Sequence, residues 1–144
     1  MRCISIAVIA VALIVGCGSD KSTGPELTLA EKLVGEWEGT LKREHTSYYH
    51  IIVLGADSSY QATGIGTAID TLGYNSSGYD IGTWEIIPGD IMLTHITKYT
   101  NLLTGKSSFQ DWNDSYAITI EEDVLTMVHV INNNTYTNTY TRKN

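Results

Sequence analysis

Cysteine is nearly missing from this 144-residue chain: there are two, Cys3 and Cys17, and none beyond position 17. The long remainder therefore has no disulfide framework and no thiolate metal site, and its core alone must stabilise it. Phenylalanine is scarcer still, one residue against nine Tyr and three Trp, so almost every aromatic ring carries a polar handle. Basic residues are few: nine Lys and Arg stand against sixteen Asp and Glu, a formal net charge of −7. Nucleic-acid binding needs a basic footprint, and none exists here. Long apolar runs are also scarce. The one sustained run, residues 4–15, is twelve residues long, where a helix needs about 20 to cross a bilayer. Catalytic and metal signatures are missing as well, with no G-x-S-x-G, no H-E-x-x-H and no EF-hand spacing. No enzyme activity, metal or cofactor is expected.

The short apolar run follows Met1-Arg2 and ends in small residues, the layout of a secretory signal. Its last four residues, Ile14-Val15-Gly16-Cys17, resemble the bacterial lipobox. That resemblance implies that residues 1–16 are a lipoprotein signal peptide, cut before Cys17, and that the Cys17 thiol carries the lipid. Each acyl chain contributes about 0.8 kcal/mol per buried CH₂, and two chains anchor stably. Residues 17–26 are polar, Gly/Ser-rich and without periodicity, as in a flexible tether. The expected location is the cell envelope, lipid-anchored and facing the periplasm or cell exterior. An Asp directly after the lipidated Cys favours inner-membrane retention in enteric bacteria; Gly18 stands there instead, which favours the outer membrane. Without Arg2, eight basic residues remain against sixteen acidic ones, so anionic headgroups would repel the domain and the lipid must hold it.

Residues 27–144 read as one domain. Thr28-Leu29-Ala30-Glu31 has the spacing of a capping box opening a short helix, with Leu29 and Leu33 on one face and Gly35 ending it. From Trp37 on, the apolar pattern has period two. Strands are predicted at 37–42, 48–54, 60–69, 79–87, 91–99, 109–121, 124–131 and 136–142, with 72–78 as loop. Short polar turns and no intervening helices argue for antiparallel hairpins. The expected fold is all-β, an eight-stranded antiparallel up-and-down barrel with one short N-terminal helix; a two-sheet β-sandwich is the alternative, which periodicity does not separate from it.

The helix followed by Gly35-Glu36-Trp37 resembles the start of lipocalin-like domains, where a G-x-W motif opens the first strand. In that family an Arg near the end of the last strand packs on this Trp, and Tyr140-Thr141-Arg142 supplies one here. Trp37 and Arg142 are thus implied to close the barrel through a cation–π contact. Asp57-Ser58-Ser59-Tyr60 and Gly82-Thr83-Trp84-Glu85 further resemble elements of small bacterial lipocalin-like lipoproteins.

His45 and His50 have opposite parity and would face opposite sides of one continuous strand. His129 shares parity with Leu125 and Met127, and His95 with Ile91 and Leu93, so both are expected to point inward. Tyr136 and Tyr140 fall on one face of the last strand. With Trp84, these four are the candidate cavity lining: Trp84, His95, His129, Tyr136 and Tyr140. A Tyr-lined barrel would be apolar with hydroxyl rims, suited to a small apolar ligand; the same rings would equally fill a closed core. Ligand binding is the first expectation. An envelope protein-interaction module, such as an inhibitor or assembly accessory, is the second.

Overall fold

A computed structural model describes residues 26–144. The expected signal peptide, Cys17 and the tether up to residue 25 lie outside the described residues. The chain opens with α1 (Leu29–Leu33), whose capping box forms as its sequence dictates: the Thr28 hydroxyl accepts from the Glu31 amide, and the Glu31 side chain accepts from the Thr28 amide. Eight strands follow: β1 (Gly35–Lys42), β2 (Thr46–Leu54), β3 (Ser59–Ala68), β4 (Ser76–Ile87), β5 (Ile91–Asn101), β6 (Ser107–Glu121), β7 (Val124–Ile131) and β8 (Asn134–Arg142). Each pairs antiparallel with its sequence neighbours, and β1 pairs with β8, so the sheet closes into an eight-stranded up-and-down barrel rather than a sandwich. Full closure leaves no exposed edge.

Turn chemistry fixes the hairpins. Asn132 and Asn133 both have positive φ (50° and 65°), the backbone of a two-residue hairpin turn whose twist matches its flanking strands. The last three residues of the predicted 72–78 loop are strand instead. Ser76, Ser77 and Gly78 pair with Gly66, Ile65 and Gly64 of β3, so β4 begins earlier than the Gly/Ser-rich sequence suggests. The reason is steric. A Cβ at Gly78 would sit 2.6 Å from the Tyr99 ring, and one at Gly64 would sit 2.8 Å from His50 Nε2. These glycines make room for large neighbouring rings and remain paired.

The barrel has two unlike ends. At one end lie α1 and the β2–β3, β4–β5 and β6–β7 turns. Leu33, Trp37, Leu54, Trp84, Met92, Ile118 and Leu125 belong to the core cluster that the inward faces build. Trp37 is fully buried and donates its indole N–H to the Leu33 carbonyl at 2.8 Å. The Arg142 guanidinium lies 4.3 Å above the Trp37 ring. It also donates to the Val34 carbonyl at 2.9 Å and to the Lys32 carbonyl. One side chain thus satisfies carbonyls at the C-terminal end of α1, covers the indole face and joins β8 to β1. At the other end are the β1–β2, β3–β4, β5–β6 and β7–β8 connections, where the interior opens.

Candidate ligand-binding cavity

Inside the open half is a cavity of about 270 Å³, near the lower end of the usual size of small-molecule sites, about 300–1,000 Å³. The filled and hollow alternatives therefore coexist in one barrel. Strand alternation supplies the lining: His50 and Ile52 from β2, Tyr60 and Ala62 from β3, Asp80 from β4, Asp114 and Tyr116 from β6, Met127 from β7, and Asn138 and Tyr140 from β8. Between Ile96 and Lys98 of β5, Thr97 is an extra residue against β4, while β6 sets two residues, Gln110 and Asp111, opposite it. This bulge resets the alternation, so that Ile96 and Tyr99 both reach the interior.

The cavity is not the apolar chamber expected from its tyrosines. Two carboxyl groups, Asp80 and Asp114, enter it. Burial, and then the negative charge of Asp114, push the Asp80 carboxyl up to about 6. One Asp80 oxygen, Oδ1, is buried with no hydrogen-bond partner. The same holds for Asn138 Oδ1, on a residue only 9% exposed. Asp114 accepts a long hydrogen bond from the Tyr116 hydroxyl (3.4 Å) and lies 3.7 Å from His129 Nε2. Burial drives the Tyr60 and Tyr116 hydroxyls well above their ordinary range and raises Tyr140 to about 12, so all three are neutral donors at neutral pH. Burial, and secondarily the Arg43 guanidinium, hold His50 below its usual value.

The residues singled out from sequence separate into four groups. Tyr140 lines the cavity. His129 points inward beside it, its ring 4.8 Å from that of Tyr116, and Tyr136 lies under the Arg43 guanidinium at 4.5 Å. Trp84 also points inward but belongs to the packed core, where its indole N–H donates to the Gly55 carbonyl at 3.1 Å; it lines no part of the interior cavity. His95 is on the wrong face for the role expected of it. Met92, Thr94 and Ile96 are the buried residues of β5, which turns His95 outward, where its Nε2 lies 2.9 Å from Asp111 Oδ1. Both partners of that pair are substantially exposed. Asp80, Asp114 and His50 were not anticipated as lining, and Asn138 was legible only as a neighbour of Tyr136 and Tyr140 on one strand face. Parity was the available signal: Asp80 keeps that of Trp84, and Asn138 that of Tyr140.

No family model matches the chain, and neither does any curated protein sequence. The closed, eight-stranded antiparallel barrel is compatible with a lipocalin-like fold. What the protein does must be read from the cavity itself.

Proposed function

We propose that this is a lipid-anchored envelope protein whose lipocalin-like barrel binds a small molecule through its open end. The observation that carries the reading is the half-hollow interior: one end plugged by α1, Trp37 and Arg142, the other holding a cavity with buried acceptors that no side chain satisfies. An unpaired buried polar group costs about 1–3 kcal/mol, and a bound molecule would supply donors to Asp80 and Asn138; Thr94 Oγ1, outside the cavity lining, is the third such atom among the described residues. The anchor rests on the lipobox resemblance at Ile14-Val15-Gly16-Cys17. We read the role as binding: among the described residues the inward pair His129–Asp114 stands 3.7 Å apart, and the shorter His45–Asp70 and His95–Asp111 pairs lie on partly or largely exposed surface.

A second reading, an envelope interaction module, draws on the rim of the open end. Leu72 and Tyr74 of the β3–β4 loop, Leu102 and Leu103 of the β5–β6 loop, and Phe109, which is 94% exposed, leave apolar surface there. Native mass spectrometry of the protein extracted from its own membrane separates the two. A co-purified small molecule of constant mass is the expected result. A retained polypeptide with an empty barrel would favour the interaction module instead.

A further inference from the structure

The chemistry of the cavity wall specifies what kind of molecule it takes. Two acidic side chains from different strands, Asp80 of β4 and Asp114 of β6, reach into the one cavity. Neither has a basic partner: among the described residues, no Lys or Arg nitrogen lies within 4.0 Å of either carboxylate, and the sole cationic candidate that close is His129, 3.7 Å from Asp114. Arg43 sits over Tyr136 instead, and its charge acts on His50 and Tyr140. Carboxylates taken out of water without a counterion are costly, and the deficit is removed when a cation arrives.

The acceptors left unpaired narrow the class further. Asp80 Oδ1 and Asn138 Oδ1 are both buried without donors, and Asn138 is more than nine-tenths buried. A quaternary ammonium has no N–H to offer them. A primary ammonium has three, in a compact head. A metal ion is less well served: among the described residues no three His, Cys, Asp or Glu side chains converge as a ligand set. Around the carboxylates, Tyr48, Tyr60, Tyr99, Tyr116 and Tyr140 present ring surface and hydroxyls, a wall that accommodates a short carbon body and attracts a cation through its faces.

We propose that the interior cavity is a site for a small primary amine in its ammonium form, its head held by Asp80, Asp114 and the Asn138 side-chain oxygen, and its carbon body against the tyrosines. This rests on the ligand-binding reading above and replaces the apolar ligand expected from the sequence with a cationic one. Its specificity is electrostatic, so an uncharged or anionic molecule of the same shape is rejected.

The test uses the full chain in non-ionic detergent at pH 7.5, titrated by calorimetry with n-butylammonium, 1-butanol and butanoate, three probes of nearly equal size and different charge. Side-chain amide resonances of ¹⁵N-labelled protein report whether Asn138 is at the site. Butylammonium should bind at least tenfold more tightly than 1-butanol, with butanoate undetectable, and should shift the Asn138 side-chain signal. Asp80→Asn and Asp114→Asn should each weaken it at least tenfold, while Asp111→Asn, on the outer face, should not. Each is nearly isosteric, and coincident melting curves check that the fold persists. If 1-butanol or butanoate binds as well as butylammonium and shifts Asn138, the amine proposal is overturned while the cavity remains a ligand site. If no probe shifts Asn138, both readings fail.

Discussion

At the scale of single residues, Trp37 and Asp80 mark the two characters of this barrel. Trp37 is fully buried, hydrogen-bonded through its indole and covered by Arg142. Trp37→Ala would open a large void under α1 and leave the guanidinium without its platform, so unfolding free energy should fall by about 3–5 kcal/mol in urea titrations. A loss under about 1 kcal/mol would mean that the plug is dispensable. Asp80 behaves in the opposite sense. Its carboxyl titrates near 6 in the folded protein against an ordinary 3.8, so the folded state holds the proton more tightly. Its contribution to stability is complete below about pH 3.8 and is lost as pH rises through about 6. Relative to Asp80→Asn, the unliganded wild type should therefore lose about 1 kcal/mol between pH 5 and pH 7.5, a figure discounted for partial solvent access. Denaturation midpoints at the two pH values measure this. Asp114 and Tyr116 from β6, Tyr60 from β3, His50 from β2 and Tyr99 from β5 line the same cavity in both proteins, so the difference between them reports the Asp80 carboxyl together with its coupling to Asp114. Identical pH profiles would contradict the assignment.

Strands and helix were largely legible in the sequence, because a half-buried strand alternates and a capped helix announces its first turn. The capping box at Thr28 and the bounds of β7 were readable directly. Two features were not. β5 carries apolar residues on both faces, Ile91 and Leu93 outward against Met92 and Ile96 inward, so parity alone gave His95 the wrong side. Nothing in the residue types marks Thr97 as the bulge that returns Tyr99 to the interior. The cavity was half legible for a related reason: the tyrosines suggested its walls, but an Asp inside a strand is more often solvent-facing than inward, so as residue types Asp80 and Asp114 gave no signal of their own. Closure itself carries a consequence at this scale. The β1–β8 seam is registered by two pairs only, Trp37 with Arg142 and Glu38 with Thr141, whereas β1 and β2 match over eight. Backbone amides along the seam should exchange with solvent faster than those of the β2–β3 hairpin in native-state hydrogen exchange. Uniform protection around the barrel would show that Arg142 compensates fully for the short ladder.

For the whole molecule, the proposed lipid anchor is the feature to test. The proposed anchor predicts that Cys17→Ser leaves an uncleaved precursor and abolishes fatty-acid labelling, with the barrel's circular dichroism spectrum unchanged. Normal processing of that variant would remove the lipoprotein reading without touching the fold.

The described chain enters the barrel at its plugged end. Leu27 and Glu31 lie beside Ile120, Asp123 and Arg142, close to the β6–β7 turn and far along the strands from the mouth. A lipid on Cys17, joined through at most about 30 Å of extended chain, would hold the molecule by its base, as a cup stands on its foot. The attachment point would then lie at the end of the strands opposite the mouth, so the proposed anchor would leave the opening unobstructed.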